Sequence, residues 1–275
     1  MTYLILGCGY TGQRVALRLL TRGAHVWATA TSEAGLSRLA ALGAHPLFLD
    51  VCRPAPLSLP DGPLAVLHSV PVVQNGDRPV DPTPELLRAI GRKPQRLVYL
   101  STTGVYGVVR EVNENTPVHA TSERLKLRIA AEQAVAASGA SWMVLRPAAI
   151  YGPWRGVHQA MREGRFTLAE GPPRFTSRIH VEDLAALAEA ALASEAAGAW
   201  PVADEFPCSS DEVAEFCATL LGLPPPPRVP LTEQSETRRA NRRVDGRAAC
   251  DLLGVRLTYP TYREGIRAAL AEEAA

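Results

Sequence analysis

Three glycines near the start of the sequence have the spacing that brings a backbone close to a phosphate. Gly7, Gly9 and Gly12 follow an apolar run at 3–6 that is typical of a buried strand, and a helix-like pattern comes after them. In such a turn the first glycine allows a tight bend, the second lets the backbone approach a pyrophosphate, and the third lets the helix pack against the strand. The N–H groups at the start of the helix then face the phosphates. This context predicts a dinucleotide site, to which we assign Gly7, Cys8, Gly9, Tyr10, Thr11 and Gly12.

The composition argues against several classes of partner. The 275 residues carry 29 basic and 28 acidic side chains, a balance that predicts neither nucleic acid nor an anionic membrane as a partner. No apolar run approaches the roughly 20 residues needed to span a bilayer, and the first strand begins too early to leave room for a signal peptide. The five cysteines form no paired motif and no cluster with histidine. They predict reduced thiols, no metal site and a cytoplasmic location.

Strands and helices alternate after the glycine turn. The pattern predicts strands at 3–6, 24–28, 45–49, 64–68, 96–100 and 142–145, helices at 33–42, 83–90, 122–137 and 181–193, and two further helices that begin near Ser209 and Thr261. This alternation predicts an α/β fold with a Rossmann-type, doubly wound parallel sheet. We expect the dinucleotide-binding domain at 1–150 and a smaller C-terminal substrate lobe, partly interleaved with it, at 151–275.

The end of the second strand bears on the choice of nucleotide. In proteins that prefer NAD, an acidic residue usually ends this strand and binds the ribose 2′-hydroxyl. Here no carboxylate occurs before Glu33, so nothing repels a 2′-phosphate. Thr29, Thr31 and Ser32 can donate hydrogen bonds to such a phosphate, and Arg38 is a further candidate. The sequence therefore favours NADP as the cofactor and leaves NAD as the alternative.

Three further segments, in the expected order, resemble extended short-chain dehydrogenases/reductases, the superfamily of the NAD-dependent epimerases and dehydratases. They are LSTTGVYG at 100–107, LRPAAIYGP at 145–153 and RIHVEDL at 178–184. The tail YPTYREG at 259–265 is similar to that of atypical, YeeZ-like members, so the resemblance covers most of the chain. It implies an NAD(P)-binding protein with oxidoreductase- or epimerase-like activity on a small polar or sugar-like substrate.

The resemblance also implies roles for residues that follow the strands. Thr102 matches the family's serine or threonine that hydrogen-bonds the substrate oxygen. Further contacts to the cofactor are implied for Asp50, Val51, Ser69, Val70, Pro71, Ser101 and Pro147. The candidate substrate contacts are Arg155, which occupies the place of an anion-contacting arginine, Arg178 and His180.

The family's acid–base pair is absent. Active members carry a tyrosine, a lysine four residues later and a glutamate four residues after that; aligned on Glu132, this sequence has Arg124 and Arg128 at the first two positions. Residues four apart share a helix face, so both guanidiniums point where the tyrosine and lysine normally point. Alignment on Lys126 instead puts Ser122 at the tyrosine position. Arginine stays protonated, so Arg124 cannot be the acid that a carbonyl needs on receiving hydride, whereas Arg128 can still hydrogen-bond the nicotinamide ribose.

Three residues are candidates for a relocated acid. Tyr106 and Tyr151 follow the fifth and sixth strands, at the sheet edge where ligands bind in such folds, and His180 is the third. The alternative for each tyrosine is a core residue with a satisfied hydroxyl, and for His180 a structural histidine at a helix start. Our candidate catalytic residues are Thr102, Tyr106, Tyr151 and Arg128.

The densest basic run surrounds Asn241. We expect this loop either to border the substrate cleft and contact a phosphate or carboxylate, or to be solvated. Its arginines are Arg238, Arg239, Arg242 and Arg243.

Two functions of different class stay open at this point. The first is an NAD(P)-dependent reductase, dehydrogenase or epimerase that uses a relocated acid. The second is a non-catalytic NAD(P)-binding sensor or regulatory protein, which the replacement of the acid–base pair favours. The resemblance further implies a homodimer formed through the helices that precede the fifth and sixth strands.

Overall fold

A parallel sheet forms the centre of the protein. The computed structural model describes residues 1–235 and 238–275. The strands of the sheet are β1 (Thr2–Leu6), β2 (His25–Ala30), β3 (His45–Phe48), β4 (Leu64–His68), β5 (Arg96–Leu100), β6 (Ser141–Pro147) and β7 (Gly198–Val202). All neighbours pair in parallel, in the order β7-β6-β5-β4-β1-β2-β3. The predicted Rossmann-type sheet is confirmed.

Helices cover both faces of this sheet and build the C-terminal part. They are α1 (Tyr10–Thr21), α2 (Glu33–Ala41), α3 (Thr83–Ala89), α4 (Glu123–Ala136), α5 (Val157–Arg162), α6 (Val181–Ala193), α7 (Ser210–Leu221), α8 (Arg247–Leu253) and α9 (Tyr262–Glu273). In the described part of the chain, no helix combines the length and the apolar character needed to cross a membrane.

The side chains of β1 show how the sheet is buried on both faces. Successive residues of a strand point to opposite sides. Ile5 packs into the cluster formed with α1, α2, α6 and α8, whereas Leu4 and Leu6 pack into the cluster formed with α3 and α4. Two-sided burial explains the unbroken apolar run of this strand. The helices α3 and α4 share the second face, and dimerisation through them stays a prediction.

The strand β7 was not predicted from the sequence. Proline disfavours a strand because it has no N–H to donate, and Pro201 lies inside β7. A proline is tolerated on an edge strand, and β7 is the edge strand beside β6. With α6, which packs on α1, it returns the chain to the sheet after residue 150.

The C-terminal lobe is built from α5, α7, α9 and short strand pairs. The pairs are 149–151 with 178–180, 168–169 with 228–229, and 175–176 with 208–209, while 111–112 pairs with 243–244 at the border with the sheet. A hairpin also joins 73–75 to 78–80 beside the sheet. The α7 helix begins with the predicted capping box between Ser209 and Glu212. Short helices occur at 103–106 and 231–233.

Asp183 fastens the lobe to the sheet domain. Its carboxylate, on the first turn of α6, accepts the backbone N–H groups of Thr258 (2.7 Å) and Tyr259 (3.0 Å). Burial raises the pKa of Asp183, and these two N–H donors oppose that shift. The aspartate of the RIHVEDL segment therefore has a structural role in this chain.

A buried ion pair ties α4 to the two strands beneath it. Arg146 of β6 donates from Nη2 to Oε2 of Glu132 (2.6 Å), and the Ser101 hydroxyl at the end of β5 donates to Oε1 (2.5 Å). Both charged residues are under 10% exposed, Glu132 at 7% and Arg146 at 8%. Removing one member of a buried pair leaves the other charge uncompensated.

We therefore predict that Glu132→Gln lowers the free energy of unfolding by about 3 kcal/mol, because it leaves the Arg146 guanidinium buried without its counter-charge. Urea unfolding monitored by circular dichroism measures this loss. The matched control is Glu85→Gln, which removes an exposed ion pair with Arg88 and should cost less than about 0.5 kcal/mol. Equal losses in the two variants would contradict the assigned role of the buried pair.

Candidate functional site

The carboxyl ends of the parallel strands meet at one edge of the sheet, where ligands bind in open α/β folds. The glycine turn follows β1 there, and Ser69 follows β4. Ser101 and Thr102 follow β5, and Pro147 ends β6. The fold therefore brings the predicted cofactor residues and Thr102 to one side of the molecule.

The three glycines of the turn are each constrained in a different way. Gly7 has φ +77°, and a Cβ there would lie 2.8 Å from Cγ2 of Val70. A Cβ on Gly12 would lie 3.2 Å from the carbonyl oxygen of Gly7, so this position holds helix and strand together. A Cβ on Gly9 would meet nothing within 4 Å. The space in front of Gly9 is thus open, as the approach of a pyrophosphate requires.

The start of α1 is free to bind an anion. Its N-cap is Gly9, which makes no side-chain hydrogen bond, and no acidic residue lies in the first turn. The N–H groups of Tyr10, Thr11 and Gly12 have no partner within the helix, because an α-helix leaves its first donors unpaired. The Cys8 thiol is buried, and burial raises its pKa to about 12. It is a neutral packing residue beside the turn.

Thr29 lies beneath the turn and does not face a nucleotide. Its side chain is 2% exposed. Its hydroxyl oxygen accepts the Gly7 N–H at 2.8 Å and lies 3.3 Å from the carbonyl oxygen of Ile5, to which it donates. The expectation that Thr29 binds a 2′-phosphate is therefore wrong, because its position in β2 directs it inward. Thr31 and Ser32, just beyond the strand, are exposed, and Ser32 caps α2 through Gly35.

The loop after β4 is held by a chain of directional hydrogen bonds. The Thr83 hydroxyl donates to Asp81 (2.7 Å), so its oxygen accepts from Nε2 of His68 (2.8 Å). Nδ1 of His68 is then unprotonated and accepts the Val70 N–H (3.4 Å). Burial lowers the pKa of His68 to about 3, with the Arg128 charge as a second cause. Ser69 donates to the Gly7 carbonyl (2.7 Å), which joins this loop to the glycine turn.

Three further residues that the resemblance assigns to the cofactor lie just after β3 or β4. Asp50 is exposed, and its Oδ1 accepts the Cys52 N–H (2.9 Å). Val51 is half-buried, and Pro71, across the edge after β4, is exposed. Their contacts with the cofactor stay a prediction.

Tyr106 is not available as an acid. It is 0% exposed, and its hydroxyl oxygen accepts from Nη1 of Arg146 (3.1 Å), the same arginine that pairs with Glu132. Burial raises the pKa of Tyr106, and the Arg146 hydrogen bond opposes the shift. Ser101 is likewise occupied, because it donates to Glu132. Through these hydrogen bonds Tyr106 and Ser101 fix the backbone on either side of Thr102.

Tyr151 lies in the interior of the C-terminal lobe. It is 3% exposed, its hydroxyl lies 3.3 Å from the Thr261 carbonyl, and burial raises its pKa. A Cβ on Gly265 would lie 2.1 Å from the Tyr151 hydroxyl oxygen. This glycine of the YPTYREG tail leaves room for the ring. The expectation of a catalytic Tyr151 is wrong because α9 covers the residue.

His180 and Arg178 are also interior residues. His180, 1% exposed, caps α6 by accepting the Glu182 N–H, and it packs between the rings of Tyr151 and Tyr259. Burial lowers the pKa of His180 to about 4. Arg178, 5% exposed, donates to the Thr176 carbonyl (2.6 Å) and to Sγ of Cys208 (3.0 Å). Direct substrate contact by either residue is not supported, since the lobe covers both.

Thr102 is the candidate catalytic residue whose hydroxyl remains free to act. It is half-buried, and its oxygen accepts the Gly104 N–H (3.1 Å) at the start of the short helix 103–106. That bond leaves the hydroxyl proton for a substrate atom. A Cβ on Gly104 would lie 3.0 Å from Leu125, so the Thr102 turn packs on the first turn of α4.

The two arginines of α4 differ in their surroundings. Arg124 is exposed, whereas Arg128 is 8% exposed and donates from Nη1 to the hydroxyl of Tyr99. Tyr99 is a core residue that stacks on His68, with 4.7 Å between ring centroids. Burial raises the pKa of Tyr99 to about 12, so its phenol is neutral. The roles of Tyr99 and His68 were not predictable from the sequence, since they depend on neighbours from three separate strands and helices.

Arg155 lies at the mouth of the dinucleotide site. Its guanidinium carbon is 5.1 Å from the ring centroid of Tyr10, whose hydroxyl donates to the Pro153 carbonyl (2.9 Å). Trp154, which precedes Arg155, has φ +62° and donates its backbone N–H to Glu273 (2.5 Å). Glu273 also accepts from His158 and Arg162. The last turn of α9 therefore positions Arg155 over the start of α1, a contact that no sequence pattern indicated.

The arginines around Asn241 are mostly used within the protein. Arg242 is 8% exposed and donates to the carbonyls of Gly107 and Val109, and Arg243 pairs with Glu111 at 2.8 Å. Arg238 packs on the ring of Phe166 at 4.8 Å, and Arg239 is exposed. The run holds the loop after Tyr106 to the C-terminal lobe, and a role in anion binding is not supported for Arg242 or Arg243.

A groove of about 870 Å³ lies beside the carboxyl end of β7, lined by residues of 203–207, 243–245 and α8. None of the residues assigned to the cofactor lines it. Within residues 1–235 and 238–275, no three His, Cys, Asp or Glu side chains lie close enough together to hold a metal ion.

The neutral state of His68 makes a prediction about acid stability. Its folded-state pKa, about 3, is below the roughly 6.5 of an ordinary histidine. Its contribution to stability is therefore complete above about pH 6.5 and is lost as the pH falls towards 3. We expect His68→Gln to be about 1–2 kcal/mol less stable than wild type at pH 8, through lost hydrogen bonds. The difference should narrow by up to about 1.4 kcal/mol per pH unit below 6.5.

Urea unfolding of wild type and His68→Gln at pH 8, 6 and 5 measures this difference in stability. His180 titrates in both proteins and cancels in the difference. A gap that stays constant with pH would contradict the neutral assignment of His68.

Comparison with known proteins identifies the family. Residues 3–201 match the NAD dependent epimerase/dehydratase family. A curated Streptomyces protein, a 3-diazoavenalumate denitrifying reductase, is 34% identical over an aligned region of 152 residues, and the match covers 49% of this chain and 49% of that protein. The match thus spans about half the length of this relative.

Solved structures extend the likeness over the whole chain. A conserved protein of unknown function from Silicibacter pomeroyi DSS has a TM-score of 0.84 at 32% identity, with 98% of both chains covered. UDP-glucuronic acid 4-epimerase from Bacillus cereus, solved with NAD, has a TM-score of 0.77 at 17% identity over 100% of both chains. MoeE5 with UDP-glucose and NAD has a TM-score of 0.78 at 19% identity over 98% of both. The epimerase and MoeE5 share the fold of this chain.

The resemblance seen in the sequence is thereby confirmed at the level of the superfamily, and the atypical subtype stays a prediction. The nucleotide turn, the sheet order and the match over 3–201 agree. This chain belongs to the NAD dependent epimerase/dehydratase family, whose members are NAD(P)-binding, oxidoreductase- or epimerase-like proteins.

Proposed function

We propose that this protein is an NADP(H)-dependent reductase of a small polar substrate, with Thr102 as the hydrogen-bond donor to the hydride acceptor. One observation carries the proposal. The glycine turn and Thr102 stand open at the same sheet edge, whereas the candidates for a relocated acid, Tyr106, Tyr151 and His180, are each at most 3% exposed. Binding and polarisation of a substrate are supported, and proton donation by Tyr106, Tyr151 or His180 is not.

The end of β2 supports NADP over NAD as the cofactor. The strand ends at Ala30 and carries no carboxylate for a ribose 2′-hydroxyl. Thr31 and Ser32 are exposed just beyond it, next to the start of α2. A 2′-phosphate there would accept hydrogen bonds from both hydroxyls and would be stabilised by the helix dipole, with the Glu33 carboxylate in the first turn of α2 opposing it. Arg38, also exposed, lies on the same helix.

The missing acid narrows the class of acceptor. Hydride addition to a neutral carbonyl leaves an alkoxide that needs a proton, and the family's tyrosine normally supplies it. Hydride addition to a cationic acceptor, such as an iminium or a diazonium group, leaves a neutral product and needs none. For a diazonium, one hydride from NADPH gives R–N=N–H, which releases N₂ and leaves R–H and NADP⁺. The Streptomyces relative is named for a diazo compound, which favours such acceptors here.

A non-catalytic sensor is the second candidate, because Arg124 and Arg128 replace the acid–base pair. The two functions differ in what becomes of the bound nucleotide. A sensor binds NADP(H) and leaves it unchanged, with an affinity for a protein partner that depends on the nucleotide.

Deuterium transfer distinguishes these functions. Calorimetric titration with NADPH and NADH comes first, and we expect micromolar affinity for NADPH and at least tenfold weaker binding of NADH. NADPH deuterated at the transferred C4 position is then incubated with arenediazonium, iminium, carbonyl and nucleotide-sugar compounds, and the products are analysed by mass spectrometry. We expect deuterium in the product of an arenediazonium or iminium compound. Tight binding with no transfer to any compound would favour the sensor, and no binding would overturn both.

The glycine turn gives a prediction that separates binding from folding. Gly9→Ala adds a methyl group that meets nothing within 4 Å, and its only cost is strain at the backbone angles φ −87° and ψ −142°, so we expect it to lower the free energy of unfolding by less than Gly7→Ala does. The methyl group would occupy the space that the pyrophosphate needs, so NADPH affinity should fall at least tenfold. Gly7→Ala, at φ +77° and 2.8 Å from Val70, is the contrasting variant and should destabilise the fold. Unchanged NADPH affinity in Gly9→Ala would contradict the assignment.

A further inference from the structure

The buried guanidinium of Arg128 has no counter-charge in the part of the chain that the structure describes. Arg146, nearby and equally buried, pairs with the carboxylate of Glu132 at 2.6 Å. No Asp or Glu of the described residues pairs with Arg128, whose protein partner is the Tyr99 hydroxyl. A guanidinium has five N–H donors. The other N–H groups of Arg128 have no protein partner among the described residues and are not sealed from solvent, so they can bind water or a ligand.

An anion beside Arg128 would remove an electrostatic penalty. Moving a charge out of water costs several kcal/mol unless a partner compensates it. Tyr99 does not compensate, since burial keeps its phenol neutral. Arg128 also helps to keep His68 uncharged. The Tyr99 phenol and the His68 ring are thus neutral, and the two carboxylates that act on Tyr99, Asp81 and Glu132, are already bound by Thr83 and Arg146. The Arg128 guanidinium therefore still favours an anion.

The start of α4 adds to this preference. Arg124 lies one turn before Arg128 on the same helix face and is exposed. The N-cap, Ser122, makes no side-chain capping bond, and its buried hydroxyl oxygen has no partner among the described residues. The first N–H groups of the helix and its dipole therefore also favour an anion here. Glu123 and Lys126 form an ion pair at 3.4 Å, so their charges cancel.

This region adjoins the place of hydride transfer. The Thr102 turn packs on α4 through Gly104 and Leu125. We assign the hydride acceptor to Thr102, and the first turn of α4, on which the Thr102 turn packs, carries Arg124. The position that holds an acid–base pair in active relatives holds a pair of cations here.

We propose that Arg124 and Arg128 bind a carboxylate of the substrate, and that the substrate is accordingly a small carboxylic acid whose reducible group lies beside Thr102. The inference rests on the proposed function for the reducible group. A guanidinium presents two parallel N–H donors that match the two oxygens of a carboxylate. Arg128 is the buried anchor, and Arg124 closes the site from the solvent side.

Binding of simple arene carboxylates tests the proposal without knowledge of the natural substrate. Wild-type protein, both nucleotide-free and saturated with NADP⁺, is titrated calorimetrically with cinnamate, with methyl cinnamate and with phenyl phosphate. We expect cinnamate to bind at least tenfold more tightly than its uncharged ester. Equal binding of acid and ester, or tighter binding of phenyl phosphate, would overturn the assignment of a carboxylate.

Variants then locate the site. Arg128→Met, of similar length without charge, should weaken cinnamate binding at least tenfold, Arg128→Lys less, and Arg124→Met about threefold. The double variant Glu123→Gln/Lys126→Met, which removes both members of an exposed ion pair on the same helix, is the matched control and should bind cinnamate as wild type does. If Arg128→Met fails to fold, the cinnamate affinities of Arg128→Lys and Arg124→Met decide whether the two arginines form the site.

Failure of this inference is distinct from failure of the proposed function. If Arg128→Met weakens NADP⁺ binding and leaves cinnamate binding unchanged, Arg128 contacts the nicotinamide ribose and the inference is wrong, while the reductase proposal stands. If wild-type protein binds cinnamate but neither NADPH nor NADH, the proposed function fails and the carboxylate site stands.

Discussion

Glu132 and Arg146 meet in the interior between α4 and β6, and the geometry of the site depends on this contact. The glutamate also accepts the Ser101 hydroxyl at the end of β5, and the arginine also donates to Tyr106. One buried pair thus fixes the helix, two strand ends and the turn that carries Thr102. Because both charges are shielded from water, shifting one element would separate them at a high energetic cost. The relative positions of α4 and Thr102 are therefore set independently of the side chains at 124 and 128.

This independence explains how the acid–base pair can be replaced without loss of the frame. The glutamate lies one turn after Arg128, so it fixes the register of α4. The side chains one and two turns earlier can then change chemistry while they keep pointing to the same place. Two arginines remove the proton donor and introduce two positive charges. Under the proposed function, a site so changed would still suit hydride transfer to an activated acceptor, and the two arginines would recognise an anion.

Much of the fold and of the cofactor edge could be predicted from the sequence, because those features follow from local rules. The glycine spacing, the apolar strand runs and the order of strand ends place the nucleotide turn and Thr102 without any tertiary information. Burial of Tyr106 and Tyr151 could not be predicted, since both follow strands at the correct edge. The partners that cover them, Arg146 and the α9 helix, come from distant parts of the chain. The prediction for Thr29 was wrong for a simpler reason. Side chains alternate between the two faces of β2, and this alternation turns the Thr29 hydroxyl beneath the glycine turn.

The same limits explain the residues that were missed. His68, Tyr99 and Arg128 come from β4, β5 and α4 and meet only in the folded protein. Their arrangement places an arginine with a single protein partner at the sheet edge, which is a property of the tertiary structure and not a motif. Other buried arginines, such as Arg178 and Arg242, donate to backbone carbonyls, whereas the remaining donors of Arg128 call for an explanation outside the protein chain. The chemistry of the site supplies one, since a substrate carrying the missing negative charge would be held where hydride is delivered.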